Sequence, residues 1–155
     1  MLRRPRLKSI PARADTWNAH GYVLEEQVGF LMRVATQRHS AIFTSDMVDG
    51  LTPPQFAALA KLLEVGPCSQ NHLGRLIYLD AATIKGVVDR LLARGLVTTG
   101  HDPQDRRRRA VMLTASGRRV TEAAISVAAE ITAQTLAPLS VEEQRAVVRF
   151  LKKLE

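Results

Sequence analysis

The sequence predicts a mainly α-helical fold carrying one short β-hairpin, and three observations predict it. Apolar residues recur at helical spacing along most of the chain, as with Ile84, Val87, Val88 and Leu91. Thr52, Ser69, Asp80, Thr114 and Ser140 each stand just before such a run, where an N-cap belongs. After the run of four arginines at 106–109, Val111 and Leu113 alternate with Ala110 and Met112, as in a half-buried strand.

The first periodic segment runs from Asp15 to about Met47. Leu24, Val28, Leu31, Ala35 and Ile42 fall on one stripe, with Phe30 and Val34 beside it, and no proline interrupts it. At roughly 30 residues it exceeds a typical globular helix and is expected to pack against more than its own small domain. Thr52-Pro53-Pro54-Gln55 predicts a capping box with proline in the first turn, opening a helix through Phe56, Leu59, Leu62 and Leu63 that Gly66-Pro67 ends. Ser69 caps a short helix bearing Leu73, Leu76 and Ile77; Asp80 caps a third over Ala81 to Arg94, closed by Gly95. Leu96–Thr99 and Arg108–Leu113 read as paired strands around an arginine-rich turn. Thr114 opens an alanine-rich helix with Val120, Ala124, Val127, Ala128 and Ile131 on one face, ended by Pro138. Ser140-Val-Glu-Glu143 is a second capping box, opening a last helix through Val147, Phe150, Leu151 and Leu154. Three short helices followed by a hairpin make a winged helix-turn-helix. The organisation is a disordered basic arm over 1–14, a winged helix-turn-helix over 51–114, and a helical dimerisation region over 15–50 and 115–155.

Composition limits the partners. The chain has 155 residues, 46% hydrophobic and 24% charged, enough for one domain with a core. Its net charge of +7 favours a polyanion, nucleic acid ahead of an anionic membrane surface. No apolar run approaches the ~20 residues of a membrane-spanning helix. Met1–Arg13 holds five basic residues and two prolines without an apolar stretch, so it is not read as a secretory signal. The single cysteine, Cys68, excludes an internal disulfide, suits the cytoplasm and is expected to be structural, since no basic residue adjoins it to activate the thiol. His20, His39, His72 and His101 lack metal-ligand spacing, and no glycine-rich phosphate loop or nucleophile elbow is present, which argues against an enzyme.

A basic hairpin joined directly to helices suits phosphate and points to double-stranded DNA. In a helix-turn-helix the second helix enters the major groove. Its outer side here carries Ala82, Gly86, Asp89 and Ala93, flanked by Thr83, Lys85 and Arg90. Ala82 and Gly86 are small enough to let the helix sit deep. Ala82 or the Thr83 methyl can meet a thymine methyl, Lys85 a guanine edge or a phosphate, and Arg90 the backbone. Lys85 stands four residues before Asp89 and is expected to pair with it. Ser69, Gln70 and Asn71 open the preceding helix with groups suited to phosphate. Arg106 and Arg107 lie nearest the hairpin tip, where a guanidinium can enter the minor groove, and Arg108 belongs to the same DNA-facing run. Asp105 is expected to pair with an arginine and fix the loop. Arg109 shares parity with Val111 and Leu113 and is placed along the inner surface.

With these residues in view, the chain resembles the MarR family of bacterial transcription regulators. The resemblance rests on Asp89-Arg90-Leu91, Gly95-Leu96-Val97, Asp102-Pro-Gln-Asp-Arg-Arg107, and Val111-Met-Leu-Thr114 with Gly117. It implies an obligate homodimer held by the first, fifth and sixth helices, bound to a pseudo-palindromic operator, usually as a repressor relieved by a small molecule. By motif position Arg107 matches the family's wing-tip arginine, and Lys85 and Gly86 its recognition-helix contacts. Gly86 stands where a larger polar residue is often found, which shifts specificity toward DNA shape. The segments Val65–Arg75 and Asp80–Gly86 are similar to the branch controlling aromatic-compound catabolism, whose members sense aromatic acids or their coenzyme A thioesters. The family's ligand pocket lies between the DNA-binding and dimerisation parts, which makes Trp17, Tyr22, Arg33, Arg38, His39 and Phe56 candidate lining residues. No cofactor is implied beyond such an effector. The competing reading is a ligand-independent repressor or an architectural DNA-binding protein.

Overall fold

The computed structural model describes residues 21–103 and 105–154, so the basic arm and Trp17 lie outside the described residues. Two compact units divide the chain, Met1–Thr36 and Gln37–Glu155. In the first, Leu24–Glu26 forms a 3-10 turn and the helix α1 begins at Val28, running through the boundary to Asp46. Helix is expected from Asp15; residues 15–20 lie outside the described residues, and over 21–27 the described residues correct this. Gln27 is extended (φ −79°, ψ 130°), and its side-chain Nε2 donates to Val23 O at 2.9 Å, closing the 3-10 turn and separating Leu24 from the α-helical stripe.

The second unit holds the apolar core. A short 3-10 turn at Val48–Gly50 leads to helix α2 (Pro53–Val65), then α3 (Gln70–Leu76), α4 (Ala81–Ala93), strands β1 (Val97–His101) and β2 (Arg109–Leu113), and helices α5 (Ala115–Leu136) and α6 (Val141–Leu151). Each predicted cap is made. Thr52 and Ser140 form full capping boxes with Gln55 and Glu143, while Ser69, Asp80 and Thr114 accept from the backbone N–H three residues on. The core gathers Leu59 and Leu62 of α2, Leu73 of α3, the apolar face of α4, Val97 and Val111 of the hairpin, and Ala124 and Ile131 of α5. Phe43, Met47 and Leu51 complete it from the end of α1 and the turn after it, positions downstream of the predicted stripe. Val28 and Leu31 of that stripe, and Val34 beside it, are exposed in the single chain.

β1 and β2 pair antiparallel, Val97 opposite Leu113 and His101 opposite Arg109. The simple alternation predicted for β2 does not hold, since Ala110 and Val111 are both buried. Cys68 adds an isolated bridge to Val111, Cys68 N–H donating to Val111 O at 3.2 Å and Val111 N–H to Cys68 O at 2.8 Å. The start of α3 is thereby stitched to the hairpin. At the other end, a Cβ on Gly117 would lie 1.8 Å from Leu96 O, so only glycine allows α5 to start against β1. No single helix among the described residues is long and apolar enough to cross a membrane.

Candidate nucleic-acid interface

Helix α4 is built to present one face. Ile84, Val87, Val88 and Leu91 are buried as the periodicity predicts, which turns Ala82, Thr83, Lys85, Asp89 and Arg90 outward. The polar groups on that outer face are already engaged. Thr83 Oγ1 donates to Asp80 Oδ2 at 2.6 Å, and Thr83 N–H donates to Asp80 Oδ1 at 2.9 Å. The pair from Thr83, side chain first, holds the Asp80 carboxyl below its ordinary pKa. Lys85 Nζ donates to Asp89 Oδ2 at 2.5 Å, the pair expected from the spacing. Gly86 is not open space: the Arg90 guanidinium folds back over it, 3.6 Å from where a Cβ would sit. The charged groups of this face are thus paired or folded along the helix, between the small residues Ala82 and Gly86.

The hairpin turn is organised by Asp105. Its Oδ1 accepts from Arg107 N–H at 3.0 Å, its Oδ2 faces Arg108 Nε at 3.3 Å, and its backbone O accepts from Arg108 N–H at 2.9 Å. Asp102 N–H donates to Arg108 O at 2.9 Å and closes the base of the turn. Asp105 thus fixes the loop, with Arg108 as its partner. The Arg106 and Arg107 side chains are exposed and have no hydrogen-bond or ion-pair partner among the described residues. Arg109 is a correction: it keeps the parity of Val111, with Nη2 donating to Thr99 Oγ1 at 3.0 Å, but it is exposed, because it stands at the turn end of β2 opposite the exposed His101, past the end of the core.

Ser69 accepts from His72 N–H at 3.2 Å, and Gln70 and Asn71 occupy the first turn of α3, half-buried and exposed. A polar cleft of 470 Å³ opens between this segment and the hairpin base, lined by residues that include Ser69, His72, Arg75, Asp102 and Arg108. His72 and Arg75 escaped the sequence reading; their spacing, three and six residues after the Ser69 cap, is the signal that could have found them. Cys68 also lines the cleft. Burial, and then the Asp102 carboxylate, push its thiol pKa up, the opposite of an activated cysteine.

The described effector-lining candidates fall in both units. Tyr22 and Arg33 belong to the first unit, where the Arg33 guanidinium lies over the Phe30 ring at 5.1 Å. In the second unit Arg38 donates to Gln134 O at 2.9 Å and Thr135 O at 3.2 Å, covering the last carbonyls of α5. His39 Nδ1 lies 3.0 Å from Thr135 Oγ1, which already donates to Ile131 O at 2.8 Å. With the hydroxyl donated to Ile131 O, the tautomer that fits carries its proton on Nδ1 and presents Nε2 as an acceptor. The His39 ring meets Phe43, and Phe43 meets the half-buried Phe56, each at 6.1 Å between centroids. No group of three His, Cys, Asp or Glu among the described residues is placed to hold a metal.

Comparison with known proteins places this geometry. Residues 49–108 match the MarR family profile. The HTH-type transcriptional repressor NicR of Pseudomonas putida is 41% identical over 148 residues, 95% of this chain and 93% of that protein. A probable transcriptional regulator from Pseudomonas aeruginosa superposes with a TM-score of 0.82 at 50% identity, covering 86% of this chain and all of that one. BpsR of Bordetella bronchiseptica, whose DNA binding is regulated by 6-hydroxynicotinic acid, superposes with a TM-score of 0.79 at 42% identity, covering 86% and 96%. These relatives being regulators, the chain is a transcriptional regulator rather than an enzyme, and it belongs to the MarR family.

Proposed function

We propose that this regulator represses transcription by binding a pseudo-palindromic operator as a homodimer, and that a small aromatic acid releases it. The observation that carries the reading is the hairpin tip. Asp105 uses its hydrogen bonds to hold the turn and Arg108, so Arg106 and Arg107 stand exposed beyond it, beside a helix whose outer face is small. In this reading α4 lies in the major groove, with Ala82, Thr83, Lys85 and Gly86 against base edges and Arg90 toward the backbone. Arg106 and Arg107 enter the adjacent minor groove, and Ser69, Gln70, Asn71 and Arg108 meet phosphates. NicR is a repressor, which supports repression here.

Dimerisation is assigned to 15–50 and 115–155. The support is apolar surface that a soluble monomer would not keep: Phe150 of α6 and Leu154 beyond it are 56% and 71% exposed. BpsR, whose DNA binding is regulated by a hydroxylated aromatic acid, supports this effector class. Arg38 and His39 suit such a ligand, offering a cation for the carboxylate and an acceptor for a ring hydroxyl. The coenzyme A thioester is the larger member of the same class.

The test is titration of the full-length protein onto DNA flanking its own gene, with and without 6-hydroxynicotinic acid, other aromatic acids and their thioesters. Saturable, sequence-dependent binding weakened by one of these supports the proposal. Binding untouched by any of them leaves a ligand-independent repressor, and binding blind to sequence an architectural protein.

A further inference from the structure

Resting on that DNA-binding reading, we propose that the cleft between α3 and the hairpin base seats one phosphate of the DNA backbone, with Arg75 as its principal cation and His72 as a neutral donor. The grooves of a duplex are separated by a sugar–phosphate strand. A protein with α4 in the major groove and its hairpin tip in the adjoining minor groove must let that strand pass between the two. The polar cleft lies between the helix that precedes α4 and the hairpin turn, and on this reading the strand runs through it.

The walls of the cleft are held by main chain. The two hydrogen bonds between Cys68 and Val111 tie the start of α3 to β2, and the Asp102–Arg108 backbone bond closes the hairpin base. Its separation is thus set before DNA arrives, as a preorganised anion seat requires. The donors inside are partly unspent. Arg75 Nη2 lies 3.5 Å from His72 Nδ1, which accepts, so the His72 proton is on Nε2 and available to an oxygen. Arg108 uses Nε toward Asp105 and keeps its terminal amino groups. Ser69 Oγ accepts from His72 N–H and retains its own hydroxyl proton for donation. Arg108 is balanced by Asp105, which leaves Arg75 as the lining cation with no carboxylate partner among the described residues, in a cleft that also holds the Asp102 carboxylate. The wall is polar, which suits phosphate rather than an aromatic ring.

The test is a cycle between protein and DNA substitutions, measured by operator titration of the full-length protein. Single phosphates in the duplex are replaced in turn by uncharged methylphosphonates. Arg75→Gln is expected to weaken binding about 5- to 10-fold at about 0.1 M salt and to lower the slope of log K against log salt by about 1. At one methylphosphonate, between the α4 half-site and the hairpin's minor groove, the two losses should not add. His72→Gln, which keeps a neutral donor, is expected within about twofold of the parent, and His72→Ala below it. Arg75 is exposed, so its variant should melt like the parent, which separates binding from folding.

An unchanged salt slope in Arg75→Gln, or full additivity at every phosphate, overturns the proposal. If Arg75→Gln relieves inhibition by inorganic phosphate at matched ionic strength yet binds operator normally, the cleft serves a free anion and the proposal is also wrong. Loss of affinity in Arg107→Ala but not Arg75→Gln removes the cleft alone; a parent protein with no salt-dependent DNA binding removes the DNA reading itself.

Discussion

Gly117→Ala should unfold this protein more than any comparably small change on its surface. The added methyl would lie 1.8 Å from Leu96 O, 2.8 Å from Leu96 C and 3.2 Å from its Cα, all backbone atoms that cannot swing aside. Restoring a normal contact requires the first turn of α5 to move by roughly 1.5 Å. That movement stretches three bonds meeting at the junction: Thr114 Oγ1 to Gly95 O at 2.7 Å, Thr114 N–H to Leu96 O at 3.1 Å, and Gly117 N–H to Thr114 Oγ1 at 2.9 Å. It also shifts the buried Thr121 hydroxyl, which donates to Gly117 O at 2.6 Å. Losing the cap costs about 1–2 kcal/mol, overpacking about 1–3 and the weakened buried bond about 1; alanine returns about 1 through helix propensity. The net expectation is a loss of about 2–5 kcal/mol, a large share of the ~5–15 of a typical domain. Urea unfolding followed by far-ultraviolet circular dichroism measures it. A loss under about 1 kcal/mol with an unchanged m-value would refute the reasoning, because it would mean α5 can pivot on β1 at little cost. Thr114, Gly95 and Leu96 also join the end of α4 to the hairpin, so whatever fraction folds should bind operator less tightly.

Tyr78 sits in the turn between α3 and α4 with φ +57° and 81% exposure. Tyr78→Gly should raise stability by about 0.5–1 kcal/mol in the same urea assay, since glycine takes the left-handed conformation without strain. Gly86→Ala meets the Arg90 guanidinium only at van der Waals distance, so it should stabilise α4 by up to about 1 kcal/mol; its methyl on the outer face should weaken operator affinity, and a titration reads this. The Asp80 and Glu143 carboxyls are held below their ordinary pKa, chiefly by Thr83 and Ser140. Their capping contributions are complete above the unfolded-state pKa near pH 4 and vanish as pH falls through the lower folded value. Melting curves of Asp80→Asn should therefore respond less than the parent's to acid in that window. The Cys68 thiol should react with iodoacetamide more slowly at neutral pH than an unfolded-chain cysteine, and native and denatured rates compare the two directly.

What the sequence made legible was local. Thr52, Ser69, Asp80, Thr114 and Ser140 were readable as caps because each bond spans three residues. The buried face of α4 was readable because one period decides it. Long-range features were not. Phe43 and Met47 enter the core through helices that pack on them from later in the chain, so their stripe looks no different from the exposed one upstream. Arg109 was misplaced because parity tells which face a strand residue takes but not where along the strand the core ends, and β2 runs past the core before it reaches the turn. His72 and Arg75 acquire a shared setting only when the Cys68 bridge to Val111 brings the hairpin base beside α3.

The outer face of α4 is then the part of the interface with least chemistry to offer. Lys85 is spent on Asp89, the Thr83 hydroxyl on Asp80, and Arg90 covers Gly86. Reading a base edge with Lys85 means giving up an exposed pair worth little, roughly 0–1 kcal/mol, so that exchange is open to DNA. Releasing the Thr83 hydroxyl means weakening the cap of the helix that does the reading, which is a poorer exchange. Thr83 is therefore expected to meet DNA through its methyl and to stay bonded to Asp80. On the proposed reading, phosphate and minor-groove affinity would then fall to the exposed Arg106 and Arg107 and to the cleft around Arg75. A reader built this way tests groove fit along α4 and groove width at the hairpin more than it counts hydrogen bonds, and substitutions of Arg107 should be felt most on operators with narrow A·T-rich flanks.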